Sequence, residues 1–279
     1  MAFVDQYVAE ILRLEVALFH AKARLEAESD DEALHDLRIA VRKIRSLLIP
    51  VRALTGMNVL REAAANVGRL TTPARDLEVM AGELETRGLP GPAASRLTRL
   101  KADRRAILGH PGMQALFAAL DLWPATFRAS PLGKDSKLFK RAVVKSLNKH
   151  VDKLHIALDD PRFDRHELRI LVKRTRYLTE AFPKLSPLSK KAAKSLKAVQ
   201  GALGSWHDHH QWCLKVAVEA DLAPLENTWK QASTEEMAQA ETEMLKLKAL
   251  LPKLVKKPKP AAVAVKVDPA SLAPGKTPS

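Results

Sequence analysis

The chain has 279 residues, 46% of them hydrophobic, which is enough length and apolar content for a sizeable core and excludes disorder throughout. Lys and Arg number 46 against 32 Asp and Glu, a formal net charge of +14, so an anionic partner is expected: nucleic acid, a phosphate polymer or an acidic membrane surface. The single cysteine, Cys213, excludes an intrachain disulfide framework, and no apolar run approaches the ~18 residues that would span a bilayer.

Aromatic residues are only 5% and no segment sustains strand-like alternation, so an all-α chain is expected. The apolar period and its proline, glycine and Asx/Ser punctuation predict helices at about 3–28, 31–54, 58–71, 73–88, 92–108 and 112–128. A break is expected at Ser130-Pro131-Leu132-Gly133. Beyond it helices are predicted at about 135–158, 163–183, 187–202, 205–221 and 224–250. From Pro252 the chain alternates lysine with Pro, Ala and Val, so residues 252–279 are read as a disordered basic tail. The amino terminus lacks the basic-then-apolar order of a secretory signal, which leaves a cytoplasmic location as the expectation.

The segment His35-Asp36-Leu37-Arg38-Ile39-Ala40-Val41-Arg42-Lys43-Ile44-Arg45 recurs 131 residues later as His166-Glu167-Leu168-Arg169-Ile170-Leu171-Val172-Lys173-Arg174-Thr175-Arg176. An acidic doublet precedes each copy, Asp30-Asp31 and Asp159-Asp160. Two matched segments so far apart imply a duplicated helical unit, with a first unit over 1–130 and a second over 131–251. At ~100° per residue, His35, Arg38, Arg42 and Arg45 form a stripe about 80° wide beside the apolar face of Leu37, Val41, Ile44 and Leu48. The second copy repeats it with His166, Arg169, Lys173 and Arg176. Like charges one turn apart disfavour a helix, and no acid is interleaved here to neutralise them. An anion would supply the missing charge; a plain basic surface is the alternative. In the second unit Lys137, Arg141 and Lys145 share one helix face, as do Lys190, Lys194 and Lys197.

At this repeated His-x-x-Arg-x-x-x-Arg/Lys-Lys/Arg-x-Arg pattern the sequence resembles the conserved-histidine α-helical domain (CHAD) family. A Leu-Gly-x-x-Arg-Asp-like element follows two helices later in that family. Here it reads Leu203-Gly204-Ser205-Trp206-His207-Asp208, and in the first unit Thr71-Thr72-Pro73-Ala74-Arg75-Asp76, which keeps Arg-Asp and loses Leu-Gly. The resemblance covers about residues 3–250. It implies two pseudo-symmetric antiparallel four-helix-bundle units whose basic helices line a central groove that binds inorganic polyphosphate, with association to polyphosphate granules. The ligand-binding residues it implies are His35, Arg38, Arg42, Lys43, Arg45, His166, Arg169, Lys173, Arg174 and Arg176, to which the helix stripes add Lys137, Arg141, Lys145, Lys190, Lys194 and Lys197. His207 joins them because it aligns with Arg75. By helix angle Lys43 and Arg174 sit about 80° beyond the histidine. Asp76 and Asp208 are either carboxylates that orient the guanidiniums or ordinary first-turn acids favoured by the helix dipole. His35 and His166 are expected to protonate on binding, so that affinity rises from pH 8 to pH 6.

Many relatives carry a triphosphatase domain with Glu-x-Glu-x-Lys. This chain has only Glu241-Thr242-Glu243-Met244-Leu245-Lys246, with different spacing. No phosphate loop or nucleophile elbow is present either, so a non-catalytic protein without cofactors is expected. The competing readings are a nucleic-acid-binding or granule-coating protein that uses the stripes and the tail, and a metal site at His207, His210 and Cys213.

Overall fold

The computed structural model describes residues 2–54 and 56–254, and among these the chain is helical with no strand. The tail lysines from Lys256 onward lie outside the described residues. In chain order the helices are α1 (Phe3–Glu26), α2 (Ala33–Leu47), α3 (Asn58–Leu70), α4 (Thr72–Thr86), α5 (Pro90–Gly109), α6 (Pro111–Ala129), the single turn α7 (Pro131–Lys134), α8 (Ser136–Asp159), α9 (Arg165–Ala181), α10 (Lys190–Val216) and α11 (Glu226–Leu250). Short 3-10 turns occupy Ile49–Val51 and Ala220–Leu225.

Local chemistry explains most of these boundaries. The Asp135 carboxylate accepts from the Lys137 and Leu138 amides at 2.8 and 3.0 Å and opens α8. Asp164 caps α9 through the Glu167 amide at 2.8 Å, and Ser189 caps α10 through Ala192 at 3.1 Å. Two expectations need correction. The helix predicted to run to 54 stops at Leu47, because Pro50 cannot donate and crowds the preceding turn, and the chain passes into a 3-10 turn instead. The break predicted between 202 and 205 does not occur. One Gly in a helix interior costs about 1 kcal/mol, and α10 recovers more than that by burying Leu196, Val199 and Leu203 in one continuous row.

Three apolar clusters hold the helices together. The first is centred on Tyr7, Trp123, Phe127 and Phe139, and gathers α1, α2, α3 and α6 with the first half of α8 and the end of α9 at Leu178 and Phe182. Tyr7 is buried in it and donates its hydroxyl to the Leu47 carbonyl at 2.9 Å. The second packs the rest of α8 with α9, α10 and α11 around Leu154, Leu168, Val172, Val199 and Leu247. The third joins distant parts of the chain, setting Met80 and Leu84 of α4 and Ala93 of α5 against Trp212 of α10 and Leu222, Leu225 and Trp229. Two polar links cross the same junction. Trp229 donates to Glu83 at 3.1 Å, and the buried Arg96 guanidinium binds Asp221 and, at 2.5 Å, Glu219.

Candidate anion-binding site

Helix α2 forms because Leu34, Leu37, Val41, Ile44 and Leu48 recur at helical period and are fully or almost fully buried. Helix α9 does the same with Leu168, Val172 and Leu178. Burying these rows fixes the direction of the cationic rows beside them. The two helices pack on each other, which brings together cations that stand 131 residues apart in sequence.

Four of these cations converge. Arg38 is half-buried, and its guanidinium donates to Thr71 Oγ1 at 2.7 Å and to the Gly68 carbonyl and Thr72 Oγ1, both at 3.3 Å. It is therefore held at the α3–α4 joint. Arg42 lies with its guanidinium carbon 4.4 Å from the ring centre of Tyr177 on α9. Arg169 is half-buried, and its Nε has no hydrogen-bond partner among the described residues. Lys173 shows the result most clearly. Burial, and then the nearby charges of Arg169, Arg42 and Arg38, bring its ammonium down to about 8. The same desolvation lowers the pKa of Arg38 and of Arg169.

Asp76, in the first turns of α4, and Asp208, in the middle of α10, reach the same cluster. Burial pushes both carboxyls upward. For Asp76 the cations Lys215, Arg38, Arg169 and Lys173 oppose that push. For Asp208, Arg169 opposes it and the charge of Asp76 adds to it, so the two carboxylates sense each other. Asp76 keeps its contact with water although protein crowds it on several sides. Four residues beyond each carboxylate, Met80 and Trp212 enter the third apolar cluster. Both acids therefore lie one helical turn from that junction. The cluster comprises Arg38, Arg42, Arg169, Lys173 and Lys215 against Asp76 and Asp208, a clear positive surplus.

The histidines divide. The His166 and His207 rings stand 5.2 Å apart beside the cluster. Burial, and then Arg169, His166 and Lys173, hold His207 down at about 4, so it is neutral at physiological pH. His35 is half-buried one turn before Arg38. Arg45 extends over Gly68, its Nη1 3.0 Å from where a Cβ would stand, and burial with Arg174 and Arg69 nearby lowers its pKa. Exposed Lys43 lines a cleft of about 750 Å³ between α1, α2 and the end of α9. Arg176 lines it too, paired with Glu180 at 2.7 Å. Lys137, Arg141 and Lys145 on α8 and Lys190, Lys194 and Lys197 on α10 are exposed, and no hydrogen bond or ion pair among the described residues links them to the cluster.

The three residues of the alternative metal site diverge. His210 stacks on Trp206 with centroids 5.5 Å apart, Cys213 packs against the third cluster, and His207 faces His166. Among the described residues no group of three or more His, Cys, Asp or Glu is placed to hold a metal ion. Sequence reasoning missed Lys215, although it stands two turns beyond Asp208 on the same face of α10, a spacing that could have found it. It also missed Thr71 and Thr72, which carry no charge signal.

Chemically, the cluster can do one thing well: its guanidinium forks and a partly desolvated ammonium can share the oxygens of a multiply charged anion. No curated protein matches the chain. Among the solved structures that resemble it are two at identities that speak to fold alone. The CHAD domain from the plant Ricinus communis aligns with TM-score 0.62 and 22% identity over 89% of this chain and 91% of that one. PptA from Streptomyces chartreusis aligns with TM-score 0.59 and 16% identity over 88% of this chain and all of its own. No helix among the described residues is long and apolar enough to cross a membrane. The family model described as the CHAD domain matches residues 10–214, well over half of the sequence, and the chain belongs to that family.

Proposed function

We propose that this protein binds inorganic polyphosphate, without catalysis, in a basic groove between two helical units, 1–130 and 131–251. The observation that carries the reading is the crowding of Lys173 by Arg169, Arg42 and Arg38, cations from two matched segments whose charge Asp76 and Asp208 offset only in part, leaving a surplus that a polyanion would neutralise. Supporting the paired architecture, an offset of 132 carries Asn58, the first residue of α3, onto Lys190, the first of α10, and Asp76 onto Asp208. Membership of the family supports the polymer, because the resemblance implies polyphosphate as its ligand. Polyphosphate offers about one charge per unit and no bases, which suits a line of arginines with little stacking surface. Tyr177 is the aromatic residue nearest the stripes, and Arg42 already covers it. Association with polyphosphate granules in the cytoplasm, with nucleic acid as a second partner held by the stripes and the lysine tail, completes the reading.

The test is competition at fixed salt. Long-chain polyphosphate is expected to displace DNA and RNA of matched charge, with affinity falling steeply as salt rises. Charge reversal at Arg38, Arg42, Arg169 and Lys173 is expected to abolish binding while circular dichroism remains helical. Stronger binding of DNA, or reversal variants that still bind polyphosphate, would sink the proposal.

A further inference from the structure

We propose that Lys173 is a modification site, acylated directly by small acyl phosphates that the surrounding arginines recruit through their phosphoryl group. The inference rests on the reading of the cluster as a phosphate-binding site. Lys173 stands one helical turn beyond Arg169 on α9, and Tyr177, which Arg42 covers at 4.4 Å, stands one turn further on. Lys173 is half-buried, and no carboxylate or other acceptor is hydrogen-bonded to its ammonium among the described residues. The charged and titratable groups around it are Arg38 and Arg42 from α2, Arg169 from its own helix, Asp76 from α4, and His207 and Asp208 from α10.

This arrangement places a nucleophile inside an anion site. In an acyl phosphate the carbonyl carbon is separated from phosphorus by one oxygen, so guanidiniums that hold the phosphoryl oxygens present the carbonyl to a neighbouring amine. In a coenzyme A thioester a long arm separates the phosphates from the carbonyl, and the same capture would not present it. The step is balanced. The neutral amine attacks the carbonyl carbon, a C–N bond forms, the C–O bond to phosphate breaks, and inorganic phosphate leaves with the amine proton. No oxidant, metal or further reactant takes part. With a pKa of about 8 in the ligand-free protein, about a quarter of Lys173 is neutral at pH 7.5, against roughly one part in a thousand for an ordinary lysine near 10.4, and a bound phosphoryl group takes back part of that advantage. The amide product carries no charge, so modification would remove one cation from the cluster. Bound polyphosphate would shield the same amine.

The full chain is incubated at pH 7.5 with acetyl phosphate or with the uncharged ester 4-nitrophenyl acetate, and acetylation is mapped by peptide mass spectrometry. Exposed Lys137 and Lys190 serve as internal references. Lys173 is expected to react with acetyl phosphate at least about tenfold faster than either reference, in line with its larger neutral fraction. The preference should be smaller with the uncharged ester. Pyrophosphate should suppress only the acetyl phosphate reaction, and Arg38→Gln with Arg169→Gln should reduce the preference for acetyl phosphate to that seen with the uncharged ester. Equal rates at Lys173 and Lys137, or the same preference with both reagents, would overturn the inference. Polyphosphate binding is measured on the unmodified protein in parallel. Binding without selective acetylation removes this inference alone, whereas selective acetylation without polymer binding removes the polymer and keeps the phosphate site.

Discussion

At the scale of single residues, Lys173 links the chemistry of the site to the stability of the fold. Its pKa of about 8 lies below the ~10.4 of an unfolded lysine, so between these values the unfolded chain holds more protons. The penalty for housing this ammonium is therefore complete below pH 8, shrinks as pH rises, and is gone above about pH 10.4. Lys173→Met is expected to stabilise the ligand-free protein at pH 7 by about 1–2 kcal/mol, allowing for partial screening. That gain should vanish by about pH 10.5 in denaturant titrations; a gain independent of pH would assign the effect to packing. Charge at this scale was legible from sequence, because Arg38, Arg42, Arg169 and Lys173 recur at one offset on one face. What restrains them was not. The hydroxyl of Thr71 meets Arg38 only because α3 and α4 meet there, and Tyr177 lies beneath Arg42 only because α2 crosses α9. Neither contact leaves a periodic trace in its own segment.

At the scale of elements, the two expected units differ at the joint between α3 and α4. The first divides into α3 and α4 at Thr71, which is fully buried and supplies the acceptor for Arg38. Its counterpart by the 132 offset, Leu203, lies inside unbroken α10. Gly201 and Gly204 invited a break there, yet nothing lies within 4 Å of a Cβ built on either. Those glycines are tolerated and no close approach requires them. Gly201→Ala should accordingly stabilise the protein by about 0.5–1 kcal/mol, read as a higher denaturation midpoint with an unchanged slope. A loss of stability would mean that the helix bends there in solution. Boundaries marked by a capping aspartate were legible, as at Asp135 and Asp164, whereas Pro50 was overlooked inside a longer apolar period. A break was also misread at Gly201 and Gly204, where glycine had to be weighed against a buried apolar row.

At the scale of the whole molecule, the site lies between two contacts. One is the packing of α2 on α9; the other is the third apolar cluster with the Arg96 ion pairs. The latter joins residues more than 120 apart in sequence, and no local pattern announces it. Arg96 is only 7% exposed, while the acids it binds are partly open to water. Arg96→Ala should therefore cost about 1–3 kcal/mol, less than a fully enclosed pair. If the junction spaces Asp76 from Asp208, the same variant should also weaken polyphosphate binding, though it touches no ligand. Unchanged affinity in a destabilised Arg96→Ala protein would show that the site keeps its shape without the junction.

The junction also has an optical consequence. Of the four tryptophans in the chain, Trp123 lies in the first cluster, while Trp212 and Trp229 meet in the third with ring centroids 5.3 Å apart. Two indoles at that separation couple electronically, and Trp229 is fully buried. Parting α4 from α11 would break the Glu83 contact, wet that ring and shift its emission to the red, while Trp123 stays in the dark interior of the other cluster as an internal standard. The unlabelled protein thus carries its own fluorescence gauge of whether α4 and α11 are engaged.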